Sequence, residues 1–168
     1  MGKRNLLKAL KKIRLAVFDF DGVFTDNRVL VMQDGREGVF CNRSDGLGIS
    51  LLRQAGISVQ VISAEENPVV RVRCRKLKIP CIFGSSDKLS AMKRLLIKRR
   101  IEPTQVLYMG NDSNDLDCLK AVGVPICVAD SHPSIFPYAV YVTRQKGGQG
   151  AVREICDLLL EAERAKLS

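Results

Sequence analysis

The 168-residue chain has no tryptophan and a single histidine, and its only other aromatic rings are six phenylalanines and three tyrosines. With so few rings, no aromatic platform for stacking single-stranded nucleic acid is readable. One histidine leaves little for a His-based catalytic scheme or a His-rich metal centre. That residue, His132, precedes a proline and reads as a loop residue or helix cap. Cys41, Cys74, Cys81, Cys118, Cys127 and Cys156 form no C-x-x-C pair, which argues against a zinc ribbon or disulfide framework and for reduced, partly buried thiols. No apolar run approaches the length that crosses a bilayer. Met1 to Lys12 is basic with scattered leucines, without the apolar stretch and small-residue cleavage site of a secretory signal. The expected location is therefore the cytoplasm. Internal repeats, low-complexity tracts and Ser/Gly linkers are also missing. One domain over residues 1–168 is expected, with 1–12 as a basic N-terminal extension.

Positive charge is in excess, with 27 Lys and Arg against 18 Asp and Glu, a formal net charge of +9. Such a balance favours anionic partners. The cations are spread over Lys3–Arg14, Arg71–Lys78 and Lys93–Arg100 with few aromatics between them, and no nucleic-acid-binding motif is legible. Solvated helix faces account for most of them. Neither a nucleic acid nor a membrane partner is expected.

Strand-like and helix-like segments alternate. Leu15–Asp19, Ser58–Ile62, Cys81–Phe83, Gln105–Met109, Pro125–Val128 and Val140–Thr143 read as strands. Ser44–Ala55, with Ser44 as N-cap and Gly56 as stop, reads as a helix, as do the segment after Asn67-Pro68 up to Leu77, Ser86–Arg100, Asn114–Val122 and Ala151–Ala165. Arg28–Met32 and Gly38–Cys41 flank a Gln33-Asp34-Gly35 turn and form a hairpin. The expected fold is α/β: a Rossmann-like parallel sheet with helices on both faces and a small β-hairpin flap after the first strand. The interval from Asp26 to Ser63 holds only that hairpin and one helix, so no large cap domain fits.

Ligands of such sheets bind at the carboxyl ends of the strands, and chemistry-bearing residues fall there. The first strand runs into Asp19-Phe20-Asp21-Gly22. Two carboxylates so close repel one another unless a cation lies between them. Hard oxygen ligands from Asp19 and from the main-chain carbonyl of Asp21 suit magnesium. Ser63 follows the second parallel strand and offers a hydroxyl to a phosphoryl oxygen. Lys88 opens a helix, against the helix dipole, and a bound anion explains it there. Gly110-Asn111-Asp112-Ser113-Asn114-Asp115 follows another strand and supplies polar groups to complete a metal site. The glycine-rich Gly147–Gly150, beside Arg144 and Lys146, reads as a flexible turn or as a minor anion-binding segment.

In this order, Asp19/Asp21, Ser63, Lys88 and the Gly110–Asp115 turn resemble the four motifs of the haloacid dehalogenase superfamily of phosphohydrolases, over nearly the whole chain. More narrowly, Asp21–Asp26, Ser44-Asp45-Gly46, Asp87–Ser90 and Gly147–Glu154 resemble its small capless branch. That branch includes 3-deoxy-D-manno-octulosonate 8-phosphate phosphatase, nonulosonate 9-phosphate phosphatases and the C-terminal domain of some acylneuraminate cytidylyltransferases. The resemblance implies a magnesium-dependent phosphomonoesterase in which Asp19 is the nucleophile, Asp21 the general acid and base, and Ser63 and Lys88 the phosphoryl-binding groups. It implies Asp19, Asp21 and Asn111 at the metal, with Asp112 and Asp115 in support. It also implies a homotetramer in which a neighbouring subunit covers the active site. One departure stands out: close relatives often read Gly-Asp-Asp where this chain has Gly110-Asn111-Asp112, so a charged metal ligand is replaced by an amide.

The resemblance further implies a phosphorylated 2-keto-3-deoxy sugar acid as substrate. Octulosonate phosphatases commonly carry Gly-Arg after the motif hydroxyl; this chain has Ala64-Glu65, followed one helix later by Arg73 and Lys76. That pattern resembles the nonulosonate enzymes, with Glu65 on sugar hydroxyls and Arg73 and Lys76 on the carboxylate. A sialic-acid-like 9-phosphate is the first expectation and octulosonate 8-phosphate the rival. A non-catalytic module serving a nucleotidyl-sugar synthetase is the alternative of another class, which Asn111 permits. The chain opens on Met1 and has no transferase half, so a free-standing protein is expected.

Overall fold

The computed structural model describes residues 2–166; Met1, on which the expected free-standing start rests, lies outside them. The elements run α1 (Lys3–Leu10), β1 (Leu15–Phe18), β2 (Thr25–Val31), β3 (Glu37–Cys41), α2 (Arg43–Gln54), β4 (Ser58–Ile62), α3 (Val69–Leu77), β5 (Cys81–Ile82), α4 (Lys88–Arg99), β6 (Val106–Gly110), α5 (Leu116–Ala121), β7 (Val124–Cys127), β8 (Tyr141–Val142) and α6 (Ala151–Arg164). Six strands form one sheet in the order β5-β4-β1-β6-β7-β8, and every pairing within it is parallel. β2 and β3 make a separate antiparallel hairpin. No described helix is long and apolar enough to cross a membrane.

Strand alternation explains the two layers. Ala16, Phe18, Leu107 and Met109 face one core with residues of α1, α2, α3 and α6. Leu15, Val17, Val106 and Tyr108 face the other, with residues of α4 and α5. A strand covered on both faces needs an unbroken apolar run, and Leu15-Ala16-Val17-Phe18 is buried throughout. From β1 the chain moves to β4 and β5 on one side, then returns to β6, β7 and β8 on the other. β1 is thus the switch point, and the crevice at its carboxyl end opens between β4 and β6.

Several sequence expectations need correction. The basic N-terminal extension packs on the domain: α1 buries Leu6 and Leu10 in the core that α6 shares. Its leucines pack, while Arg4 and Lys8 stay outside. Asn42, not Ser44, caps α2, and its side-chain oxygen accepts from the Ser44 N–H (2.9 Å) and hydroxyl (2.8 Å). The helix expected over Asn114–Val122 begins as a 3-10 turn, Ser113–Asp115, before α5. A further 3-10 helix, Pro133–Tyr138, has no signature in the sequence; its two prolines hide it from helical periodicity. His132 caps it, its Nδ1 accepting from the Ser134 N–H. All six cysteines are free thiols.

α6 begins at Gly150, which has no side chain to cap it. Asp45 of α2, wholly buried, supplies the cap instead: its Oδ1 accepts the Arg153 N–H at 2.9 Å. Its other oxygen has no partner. Burial pushes the Asp45 carboxyl up to about 6, against the Arg153 N–H and the charges of Arg73 and Arg153. Between its ordinary value of 3.8 and about 6, the folded state therefore holds a proton that the unfolded state has released. That contribution to stability is complete below the unfolded value and is lost as pH rises through the folded one. Asp45→Asn keeps the acceptor without the titration. Measured by denaturant unfolding, wild type should lose on the order of 2–3 kcal/mol relative to Asp45→Asn between about pH 4 and pH 7. Parallel pH curves for the two proteins would contradict this origin.

Candidate active site

Three neighbouring strands deliver the central residues. Asp19 follows β1 and extends it by one bond, its N–H donating to Met109 O. Ser63 follows β4, tied by its N–H to Ile82 O of β5. Asn111 follows β6. Lys88 opens α4, whose N-cap Asp87 accepts the Ser90 N–H. Asp19, Asp21, Ser63, Glu65, Lys88 and Asn111 line one open cavity of about 530 Å³, with Asn27, Asp112 and Asn114 on its wall. A larger groove of about 670 Å³ between α1, α6 and β8 contains none of the residues proposed for catalysis.

Lys88 is buried and sits between two carboxylates, Asp19 Oδ1 at 2.9 Å and Asp115 Oδ1 at 2.8 Å. Its position against the helix dipole is thus balanced by the protein's own anions, where the sequence pointed to a bound one. Burial lowers its pKa, but the charges of Asp19 and Asp115 outweigh this and raise it overall. Burial, then the charge of Asp115, pushes the Asp19 carboxyl up to about 7, against the pull of Lys88. Asp21 is half-buried; burial and then the nearby Glu65 charge raise its pKa. Such a carboxyl is suited to carrying a proton.

Asp115 does not reach the cavity. It is fully buried and accepts four hydrogen bonds, from Lys88, from the Tyr108 hydroxyl (2.6 Å) and from the N–H groups of Asn111 (2.9 Å) and Asp112 (3.3 Å). Tyr108 escaped the sequence reading because a tyrosine inside an apolar strand is indistinguishable from core until its hydroxyl finds a partner.

The donor set suits a hard divalent cation. An amide atom of Asn111 lies 2.9 Å from Asp21 O and 3.3 Å from Asp19 Oδ2. Ligand oxygens side by side on an octahedral magnesium, each at roughly 2.0–2.1 Å, are about 2.9 Å apart. The amide oxygen in that place would complete a three-oxygen set; in the swapped orientation the amide NH2 would donate to the same two acceptors. With an amide and a main-chain carbonyl beside the single Asp19 carboxylate, this set is less charged than an all-carboxylate one.

Arg73 and Lys76 do not join this cavity. The Arg73 guanidinium donates to Asn42 O at 2.9 Å, beside α2, and Lys76 is exposed on α3. The glycine-rich segment is neither a free turn nor an open anion nest. The Gly147 N–H donates to Asp130 Oδ1 and the Gly148 N–H to Val23 O. Its glycines press on the turn after Asp21: a Cβ on Gly147 would lie 1.9 Å from Gly22 O, and one on Gly148 2.4 Å from Asp26 N. Gly22 in turn has φ +74° and leaves room for the Asn111 side chain, which a Cβ would meet at 2.0 Å.

The family model for haloacid dehalogenase-like hydrolases matches residues 78–155. The 3-deoxy-D-manno-octulosonate 8-phosphate phosphatase KdsC of Escherichia coli (strain K12) is 40% identical over 160 residues, covering 95% of this chain and 85% of the relative. The phosphatase of the same name from Yersinia pestis has a crystal structure that is 39% identical with a TM-score of 0.93, covering 95% of this chain and 87% of that one. The structure of the Moraxella catarrhalis phosphatase, in complex with magnesium ion, phosphate ion and KDO, is 32% identical with a TM-score of 0.93, covering 99% and 98%.

Because Gly147 meets main chain and not a movable side chain, Gly147→Ala should destabilise by about 3 kcal/mol or more, lowering the melting temperature by roughly 6–12 °C. Gly38→Ala, which meets nothing within 4 Å, is the control. Equal melting temperatures for the two variants would show that the segment does not clamp the turn.

Proposed function

The chain belongs to the haloacid dehalogenase-like hydrolases, and from that premise we propose that it is a phosphomonoesterase for a 2-keto-3-deoxy sugar acid phosphate, working through an aspartyl-phosphate on Asp19. The observation that carries this is the convergence of Asp19, Asp21, Ser63, Lys88 and Asn111 on one cavity. One Asp19 carboxylate oxygen attacks phosphorus as the bond to the sugar oxygen breaks, and Asp21 gives that oxygen its proton. Water then attacks the phosphorus of the acyl phosphate, Asp21 takes the water proton, and inorganic phosphate leaves as Asp19 is restored. Ser63 and Lys88 hold the phosphoryl oxygens not involved in bond exchange. Asp19, Asp21 O and Asn111 would hold magnesium, which when bound would supply positive charge that offsets the repulsion between anionic nucleophile and anionic substrate. That charge would also favour the ionised form of Asp19, which burial opposes.

Octulosonate 8-phosphate is the preferred substrate, since it is the one for which the curated relatives are named. A nonulosonate 9-phosphate is the second reading, favoured by Glu65, whose place on the cavity wall suits sugar hydroxyls. In that reading the exposed Lys76, with Arg73 behind it, acts on the cavity of a neighbouring copy. A homotetramer fits the hairpin, where Val29, Leu30, Val31 and Met32 are exposed and Phe40 is 67% exposed. A cytoplasmic location and a functional link to a nucleotidyl-sugar synthetase belong to the same proposal.

Phosphate release with magnesium, from octulosonate 8-phosphate, nonulosonate 9-phosphates and hexose phosphates, tests it. Asp19→Ala and chelated samples should be inactive, and Lys88→Met should lose about 10²–10³ in kcat. Release from none of the esters by a folded oligomer would overturn the proposal and favour a non-catalytic partner. Asn111→Asp restores a charged ligand, and the magnesium concentration for half-maximal activity should fall on the order of tenfold. An unchanged requirement would place the metal elsewhere.

A further inference from the structure

We propose that Tyr108 is a positioning residue for phosphoryl binding, its hydroxyl holding Asp115 so that Lys88 stays shared between Asp19 and the substrate. The inference rests on the function proposed above and deepens it. Tyr108 lies on β6, fully buried, facing Leu15, Val17 and Ile62 in the layer that α4 and α5 cover. A phenylalanine would fill that layer equally well, and a buried hydroxyl costs stability unless it is hydrogen-bonded. Here it donates to Asp115 Oδ1 at 2.6 Å. Burial and the Asp115 charge raise the Tyr108 pKa well above its ordinary value, so the hydroxyl keeps its proton and acts as the donor.

The same oxygen, Oδ1, also accepts from Lys88 Nζ at 2.8 Å. Oδ2 is taken by two main-chain N–H groups, those of Asn111 and Asp112. All four acceptor positions of this carboxylate are therefore filled. Lys88 has three donors; two go to Asp115 and Asp19, and the third is available on the cavity side, where a phosphoryl oxygen would sit. One ammonium thus serves two buried anions and a dianionic substrate. Donors on one oxygen compete, so each bond to Oδ1 limits the strength of the other. Without the Tyr108 hydroxyl, Asp115 draws Lys88 towards itself. Lys88 then gives less to Asp19 and to the phosphoryl group, although it never leaves the site. Tyr108 touches neither substrate nor metal and acts only through Asp115 and Lys88.

The test is Tyr108→Phe in the full chain, alone and combined with Asp115→Asn, which removes the charge that competes for Lys88. Four readouts are taken: kcat, KM, the competitive inhibition constant of inorganic phosphate, and melting temperature. The single variant should lose about tenfold in kcat/KM and raise the phosphate inhibition constant by a similar factor, with melting temperature within a few degrees of wild type. In the Asp115→Asn background the same substitution should change both constants by less than about twofold, because the two residues act as one unit. Unchanged kinetics in Tyr108→Phe, or an equal loss in both backgrounds, would overturn the inference; the latter is what lost packing alone produces. Should the variant prove unstable, 3-fluorotyrosine at position 108 keeps size and strengthens donation, and it should lower the phosphate inhibition constant; no change would again refute. Wild-type protein that neither hydrolyses any ester nor binds phosphate by calorimetry would remove the functional proposal and this inference together, whereas an active wild type with an indifferent Tyr108→Phe removes this one alone.

Discussion

Lys88 lies in a nearly dry pocket between two carboxylates, and the surrounding fold can be understood as the means of keeping it there. One cation between two buried anions is a costly arrangement in low dielectric unless every remaining donor and acceptor is matched. Asp115 is matched in full by a tyrosine hydroxyl and two main-chain N–H groups. Asp19 is not: with Lys88 as its ion pair, its carboxyl is still raised to about 7. The imbalance is on the cavity side, where a divalent cation would correct it. Two carboxylates around one lysine therefore have different work. One is saturated and fixes the lysine; the other is left short of positive charge and faces the cavity.

Holding that arrangement requires the three strand ends to stay in register, and the means are main chain to main chain. β4, β1 and β6 are parallel neighbours, so Ser63, Asp19 and Asn111 emerge side by side. The turn carrying Asp21 has no strand to hold it. It is gripped from behind by Gly147 and Gly148, which approach so closely that no Cβ fits. Those glycines lead into α6, whose amino end is capped by the buried Asp45 of α2. The chain from Asp45 through α6 to the turn is one mechanical support, built from a helix cap and a close main-chain contact. With no large cap domain, the cavity stays open, and the hairpin after the turn leaves its apolar residues exposed.

Much of this was legible in the linear chain. The alternation of strand and helix, the Asp19–Asp21 pair, Ser63, Lys88 and the Asn111 turn all fell where the fold puts them, because each local pattern agrees with the tertiary one: unbroken apolar runs for strands covered on both faces, and polar residues only at their ends. The departure at Asn111 was visible as well, since a missing charge needs no coordinates. Arg73 and Lys76 show the limit of spacing arguments. Their places on α3 are correct, but the direction of a long side chain depends on its neighbours, and Arg73 turns to Asn42 O and not to the cavity.

The sequence by itself determined the α/β layering, the order of the strands' chemical ends and which polar residues stand at them, because these follow from hydrophobic periodicity and from residues adjacent in the chain. Tertiary structure alone decided that Lys88 answers to Asp115 as well as Asp19, that Tyr108 donates instead of merely packing, that Asp45 caps a helix 108 residues away in sequence, and that the glycine-rich segment is a clamp. Each of these depends on which atoms meet across elements distant in the chain. A hydrogen bond or a close approach has no signature in composition or spacing until folding brings its two halves together.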